Sequence, residues 1–318
     1  MQVPCATNAS TVWVLGTGGT ISGLSDDPHD TSAYTAGQVD VGALVGAAPI
    51  PAGLRIACLQ VAQVDSKDMD WAIWLDLARH TRHCLAQPET AGVVITHGTD
   101  TMEETAYFLH RVLGDAVVNK PVVLTGAMLP ASAPEPDGPR NIADALVIAG
   151  TPGAHGVVLA MAGGVWDAVQ GQKLHSGRLD AFGPRDGHAL ASVKGGRLQL
   201  HTAWPQTLGS PPRISDDAPP PWVEIVTSAT QANPQAVSAL VAAGVQGLVV
   251  AATGNGTVHE ALQAALEAAQ SAGVRVCRAS RTAHGHIQGG HPSPIESAGN
   301  LNSFKARVGL MVELASQD

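Results

Sequence analysis

Thr11-Val12-Trp13-Val14-Leu15-Gly16-Thr17-Gly18-Gly19-Thr20 sets the reading of the chain. Its apolar, β-branched first part predicts a short buried strand over 11–16, and the glycine-rich remainder predicts a turn leaving the strand's carboxyl end. The pattern returns three times. A strand over 54–64 runs into Asp65-Ser66-Lys67-Asp68, one over 91–96 into His97-Gly98-Thr99-Asp100-Thr101, and one over 121–125 into Gly126-Ala127-Met128. Helical periodicity lies between them: 68–85 places Trp71, Trp74, Leu75, Ala78 and Leu85 on one face, and 101–113 does the same with Ala106, Leu109, Val112 and Leu113. Such alternation predicts an α/β fold whose mostly parallel sheet is flanked by helices through right-handed crossovers. In a parallel sheet the four turns emerge at one edge, near a topological switch point, and are expected to converge on one pocket.

Composition narrows the class. The 318 residues carry 18 Lys and Arg against 27 Asp and Glu, a net charge of −9, which leaves no basic stripe for a phosphate backbone; nucleic acid is not an expected partner. Hydrophobic residues make up 45% and aromatics only 3%, so the core must rest on aliphatic side chains, as buried parallel sheets do. The longest apolar stretch, around 156–166, is too short to span a bilayer. The first residues show neither a basic region nor a long apolar run, and a cytoplasmic location is expected. Cys5, Cys58, Cys84 and Cys277 are widely spaced and read as reduced thiols packed as small hydrophobes.

Proline density in TAWPQTLGSPPRISDDAPPP forbids continuous helix or central strand there. We therefore expect a large N-terminal domain over 1–200, a linker over 201–221 and a smaller C-terminal α/β domain over 222–318. The last has strands at 222–227, 247–252 and 274–277 and helices at 234–243, 258–272 and 303–315.

The turns hold the chemistry. Thr20 stands behind Gly18-Gly19 and Thr99 behind Gly98; glycine permits close approach of a substrate, and a threonine hydroxyl becomes nucleophilic once a neighbouring base takes its proton. Asp100 suits an ammonium group, from substrate or from a lysine. Thr101 and Glu104 match a capping box and read as a helix start, while Thr99 and Asp100 lie before a helix N-terminus that favours a carboxylate or oxyanion. Ser66 fits equally an N-cap of the helix starting at Asp68. A dinucleotide fingerprint fails because Ile21 stands at the third glycine and no acidic residue follows at the right distance, Asp40 reading instead as the start of a helix; no P-loop is present. His284, His286 and His291 lie in a loop without zinc-motif spacing, and neither metal nor organic cofactor is expected.

Thr17-Gly18-Gly19-Thr20-Ile21-Ser22-Gly23 and Ile95-Thr96-His97-Gly98-Thr99-Asp100-Thr101-Met102-Glu103-Glu104-Thr105-Ala106 resemble the two signature segments of the bacterial-type L-asparaginase family. Further similarity covers Asp65 to Met69, Lys120 to Met128, Asp137-Gly138-Pro139, Gly254-Asn255-Gly256 and Leu301 to Arg307, nearly the whole chain. The resemblance implies hydrolysis of L-asparagine to L-aspartate and ammonia through an acyl-threonine, by a homotetramer of intimate dimers. It makes Thr20 the first nucleophile, helped by Tyr34 on the loop after the first motif. Thr99, Lys173 and Asp100 become a second catalytic group, with Lys173 orienting and polarising Thr99, since a carboxylate neighbour favours the ammonium form. Ser66, beside Asp65, and Asp100 would hold the substrate's α-carboxylate and α-ammonium, and the backbone around Thr99 and Ala127 the oxyanion. Asn255 would reach a neighbouring subunit's site. The sequence departs from the family at Lys67, where the best-studied members have a small neutral amide. The loop over 282–298 also looks shortened, leaving Gln288 or Glu296 in place of an acidic residue supplied across the interface. The competing expectations are a glutaminase-asparaginase, a subunit of a transamidation complex, and a silent amino-acid-binding protein.

Overall fold

The computed structural model describes residues 10–30, 33–206, 208–215, 217, 219–289 and 293–316. Cys5 and His291 lie outside the described residues. Contacts divide the chain into two compact units, the described residues of Met1–Gly183 with Ala189–Ser210, and those of Pro184–His188 with Pro211–Asp318.

In the first unit, strands β1 (Thr11–Gly18), β2 (Arg55–Val64), β3 (Thr90–Thr96), β4 (Val122–Thr125), β5 (Val157–Met161), β6 (Gly164–Asp167), β9 (Ala191–Lys194) and β10 (Arg197–Leu200) form a sheet in the order β10-β9-β6-β5-β4-β3-β1-β2. Pairing is parallel from β2 through β5 and antiparallel from β5 to β10. The short strands β7 (Gly171–Lys173) and β8 (Phe182–Pro184) pair with each other. β1, β3, β4 and β5 are buried almost throughout, as strands covered on both faces must be. Helices α1 (Val41–Gly46) and α4 (Gly138–Ala149) share one core with Val12, Val14, Val94, Val123 and Val158. Helices α2 (Trp71–Ala86) and α3 (Met102–Leu113) pack together through Trp74 stacked on Phe108, with ring centroids 4.9 Å apart.

The parallel part runs 2-1-3-4-5, so the chain reverses its direction of travel between β1 and β3. That is the switch point at which open α/β sheets leave a crevice.

The second unit holds a parallel sheet of β11 (Val223–Thr227), β12 (Gly247–Ala252), β13 (Arg275–Ser280) and β14 (Glu296–Ser297). Helices α5 (Gln235–Ala242) and α6 (Glu260–Ser271) close the core around Val226, Leu248, Val250 and Val276, and α7 (Ser303–Ala315) packs on β11 and β12. Pro184–His188 joins this unit because Arg185, 2% exposed, donates to the carbonyls of Ser280 (2.9 Å) and Thr282 (3.2 Å).

Several boundaries move for physical reasons. The first strand continues past 16 to Gly18, with a register shift between Gly16 and Gly18 that only positive-φ glycine accommodates, φ being 103° at Gly18. The helix predicted from Asp68 begins at Trp71, because the Asp70 carboxylate accepts from the Ile73 N–H at 2.8 Å and caps it there. The strand expected over 274–277 extends from Arg275 to Ser280. Asp40 does cap α1, accepting from the Ala43 N–H at 3.0 Å. Cys84 is buried and its thiol is pushed up to about 11 by burial, whereas Cys58 is exposed, since β2 is the edge strand.

Candidate active site

The turns after β1, β2, β3 and β4 pack directly on one another, and glycine makes this possible. A Cβ on Gly19 would collide with the backbone of Gly98; one on Gly98 would stand 2.6 Å from Ser66 Oγ; one on Gly126 would stand 2.5 Å from the His97 carbonyl and 3.1 Å from Thr99 Cγ2. Hydrogen bonds lock the same turns. Thr17 Oγ1 donates to the Thr96 carbonyl at 2.9 Å, and the Gly19 N–H donates to the Val64 carbonyl at 2.8 Å. The expected convergence of four turns is therefore a geometric fact.

Two threonine centres result. Thr20 opens a single 3-10 turn over Thr20–Ser22, and its Oγ1 lies 2.7 Å from the hydroxyl of Tyr34, a residue 36% exposed. Thr99 is nearly buried, at 4% exposure. Lys173 Nζ, reaching in from β7, donates to Thr99 Oγ1 at 2.9 Å and to Asp100 Oδ1 at 2.6 Å. Because Thr99 Oγ1 accepts from Lys173, its own proton points elsewhere, leaving Thr99 a donor. The ion pair is graded in exposure, with 15% of the Lys173 side chain and 63% of the Asp100 side chain exposed, so Asp100 faces the open side.

A buried relay supports the Thr99 turn. Trp74 Nε1 donates to Thr105 Oγ1 at 2.9 Å, Thr105 Oγ1 lies 2.9 Å from His97 Nε2, and His97 Nδ1 lies 2.7 Å from the Gly98 carbonyl. The Gly98 carbonyl can only accept, so Nδ1–H donates to it, and in the neutral ring Nε2 accepts the Thr105 proton while Trp74 donates to the same hydroxyl oxygen. Burial holds His97 down at about 4. This relay is invisible in the motif itself. Its one signal is Thr105, a polar residue on the buried face of α3 beside Met102 and Ala106.

The remaining candidates are placed as follows. Ser66 is 3% exposed with its hydroxyl against Gly98, and it caps no helix. Thr101 stands at the start of α3 without a side-chain cap: its hydroxyl donates instead to the Ser66 carbonyl at 2.7 Å, and the Glu104 N–H takes the Thr101 main-chain oxygen. The capping-box reading of Thr101 is thus corrected, because a well-placed carbonyl from the neighbouring turn claims the hydroxyl. Asp65 caps the turn Ser66–Asp68 and pairs with Lys67 at 3.1 Å. Lys67, 63% exposed, also pairs with Asp68 at 2.7 Å. Ala127 is wholly buried, its methyl in the core, so any part it plays runs through its backbone.

In the second unit, Asn255 donates to the Gln288 carbonyl at 2.7 Å and accepts from the Gln288 N–H at 2.6 Å, so two of the residues considered for a neighbouring subunit form one pair. Glu296 lies apart from them in β14, opposite Cys277. His286 Nδ1 meets Asp186 Oδ2 at 3.1 Å, and no cluster of three or more metal-ligating side chains occurs among the described residues.

Known proteins are similar to this chain in sequence and in fold. Residues 11–206 match the family model described as asparaginase, N-terminal, and residues 222–318 the model described as glutaminase/asparaginase C-terminal domain. A probable periplasmic L-asparaginase of Haemophilus influenzae is 34% identical over 99% of this chain and 91% of its own. A glutaminase-asparaginase of Acinetobacter glutaminasificans is 33% identical over 93% and 92%. The crystal structure of a probable cytoplasmic L-asparaginase from Campylobacter jejuni superposes with a TM-score of 0.88 at 36% identity, covering 96% of this chain and 95% of that one. With family models spanning both halves and relatives matched nearly end to end, the chain belongs to the bacterial-type asparaginase family.

Proposed function

We propose that the protein is an L-asparaginase, hydrolysing L-asparagine to L-aspartate and ammonia with Thr20 as nucleophile. The observation that carries this reading is the pair of threonine centres at the sheet's switch point, Thr20 with Tyr34 and Thr99 with Lys173 and Asp100. Thr20 Oγ1 attacks the side-chain amide carbon, and Tyr34 takes up and relays the hydroxyl proton. The carbon–nitrogen bond breaks, ammonia leaves with that proton, and an ester remains on Thr20. Water then attacks the ester, aspartate is released and the hydroxyl is restored. No metal or organic cofactor enters the scheme.

The other residues divide the binding work. Asp100, on the open side, suits the α-ammonium, and Ser66, in the adjoining turn, suits the α-carboxylate. Asp65 supports that turn by capping it. The backbone around Thr99 and Ala127 suits the developing oxyanion. A homotetramer of intimate dimers, in which the C-terminal domain over 222–318 brings Asn255 to a neighbouring subunit's site across the linker at 201–221, completes the proposal. The relatives' names include both compartments; we assign this chain to the cytoplasm, alongside the Campylobacter protein.

Asparagine and glutamine differ by one methylene, worth about 1–3 kcal/mol in an apolar pocket. The glutaminase-asparaginase relative makes glutamine the second substrate to test. Ammonia release from each amide, measured beside Thr20→Ala, decides: release from asparagine that vanishes in the variant is expected. Release that survives the substitution overturns Thr20 as the nucleophile.

A further inference from the structure

Asn141 lies in the first turns of α4, on its buried face beside Ile142 and Ala145, and is 2% exposed. A polar side chain at such a position must satisfy itself locally. It does so by bridging three segments. Nδ2 donates to the Gly126 carbonyl at 2.9 Å and to Asp137 Oδ2 at 3.1 Å, and Oδ1 accepts from the Ala162 N–H at 3.1 Å. The orientation of the amide is unambiguous, since reversal would set its oxygen against a carbonyl and a carboxylate.

Each partner leads to the second threonine centre. Gly126 packs on Thr99, and Asp137 accepts from two further amides of the same loop, Met128 N–H and Leu129 N–H, both at 3.0 Å. Ala162 is a non-glycine residue at φ 48° in the turn between β5 and β6, and from that hairpin the chain proceeds to β7 and Lys173. The strained turn and the Ala127 loop are thus tied to one amide group.

We infer that Asn141 is a positioning residue for the reaction, acting through the Gly126 carbonyl to fix the height of the loop carrying Ala127 against Thr99. This inference rests on the amidohydrolase reading. Asn141 touches no reacting atom; it sets where backbone donors stand, and a displacement of about 1 Å in such a site costs on the order of 10²-fold in rate.

The test compares Asn141→Ala, Asn141→Asp and Asp137→Asn with the unmodified protein, following ammonia release from L-asparagine and normalising to folded protein by circular dichroism. Asn141→Asp keeps the acceptor for Ala162 but loses donation to Gly126. The expected result is a fall in kcat of about 10–100-fold in both Asn141 variants with KM within about three-fold. Asp137→Asn should fall in the same direction. A merely structural role predicts the opposite division: a lower Tm in both Asn141 variants, with kcat per folded molecule within about two-fold. That result overturns the inference, and if Asn141→Ala does not fold, the other two variants decide. An unmodified protein inactive on both amides refutes the amidohydrolase reading itself, a failure distinct from normal turnover in the variants.

Discussion

The two threonine centres are built from different kinds of contact. Thr20 meets a partner 14 residues away, a tyrosine on a partly exposed segment, through one hydroxyl–hydroxyl hydrogen bond. Thr99 meets a lysine 74 residues away, is nearly buried, and is backed by the His97 relay and the packed Gly126 backbone. The first centre is partly exposed and rests on one hydroxyl pair, whereas Thr99 in the second is buried and held from several sides. A nucleophile must change partners during the reaction, and a group that stabilises charge works best when it does not move. The contrast in construction matches the division of labour proposed for them.

That contrast can be broken from either side. Thr20→Ala should have the largest effect, about 10⁴-fold or more in kcat, because no other group supplies the covalent step; ammonia release reads it, and a loss below ten-fold would transfer the nucleophile's role to Thr99. Lys173→Met should follow, at about 10³-fold, since it unpairs Asp100 and frees Thr99 to rotate. Its steady-state signature is a loss mainly in kcat, and a pure KM effect would recast Lys173 as a binding group.

The relay behind Thr99 makes a prediction for pH. His97 is neutral when folded and titrates at about 4, below its ordinary value of 6.5, so unfolding at acid pH takes up a proton. Its contribution is complete above pH 6.5 and is lost as pH falls through about 4. The full displacement is worth on the order of 3 kcal/mol. Urea unfolding at pH 7 and pH 4 measures it, and His97→Asn should reduce the difference by that amount. Tyr34→Phe should be mildest, about 10²-fold in kcat, since it removes the group that relays the Thr20 proton, and a loss below ten-fold would leave Tyr34 only orienting Thr20. A loss as large as that of Thr20→Ala would show that Tyr34 has a larger part than proton relay.

Much of this site could be read before any coordinates. A strand followed by a glycine-rich polar turn is a local signal, and four such turns on a parallel sheet must share an edge, which is where Thr20, Ser66, Thr99 and Ala127 stand. Lys173 was legible through family resemblance alone, because a short segment with few matching residues has no periodicity that points it toward Thr99. Asn141 and Thr105 went unread as parts of the site for the same reason that makes them informative now. Each is a buried polar residue on a helix, and such a residue declares a need for a partner without naming it. The capping reading of Thr101 failed on competition, since the Ser66 carbonyl of the neighbouring turn claims its hydroxyl, and that of Ser66 failed because the helix begins later, under the Asp70 cap.

By itself the sequence determined the alternation of strands and helices, the parallel core, the glycine-lined edge and the residue types gathered there. These follow from periodicity and backbone sterics, which act over a few residues. Only the tertiary structure decided that β1 and β3 are neighbours across the switch point, that Lys173 closes on both Thr99 and Asp100, that Lys67 is held between Asp65 and Asp68, and that Asn255 is bound to Gln288. Each of these is a pairing between groups with several possible partners. Which partner wins depends on distances set by the packing of the whole unit.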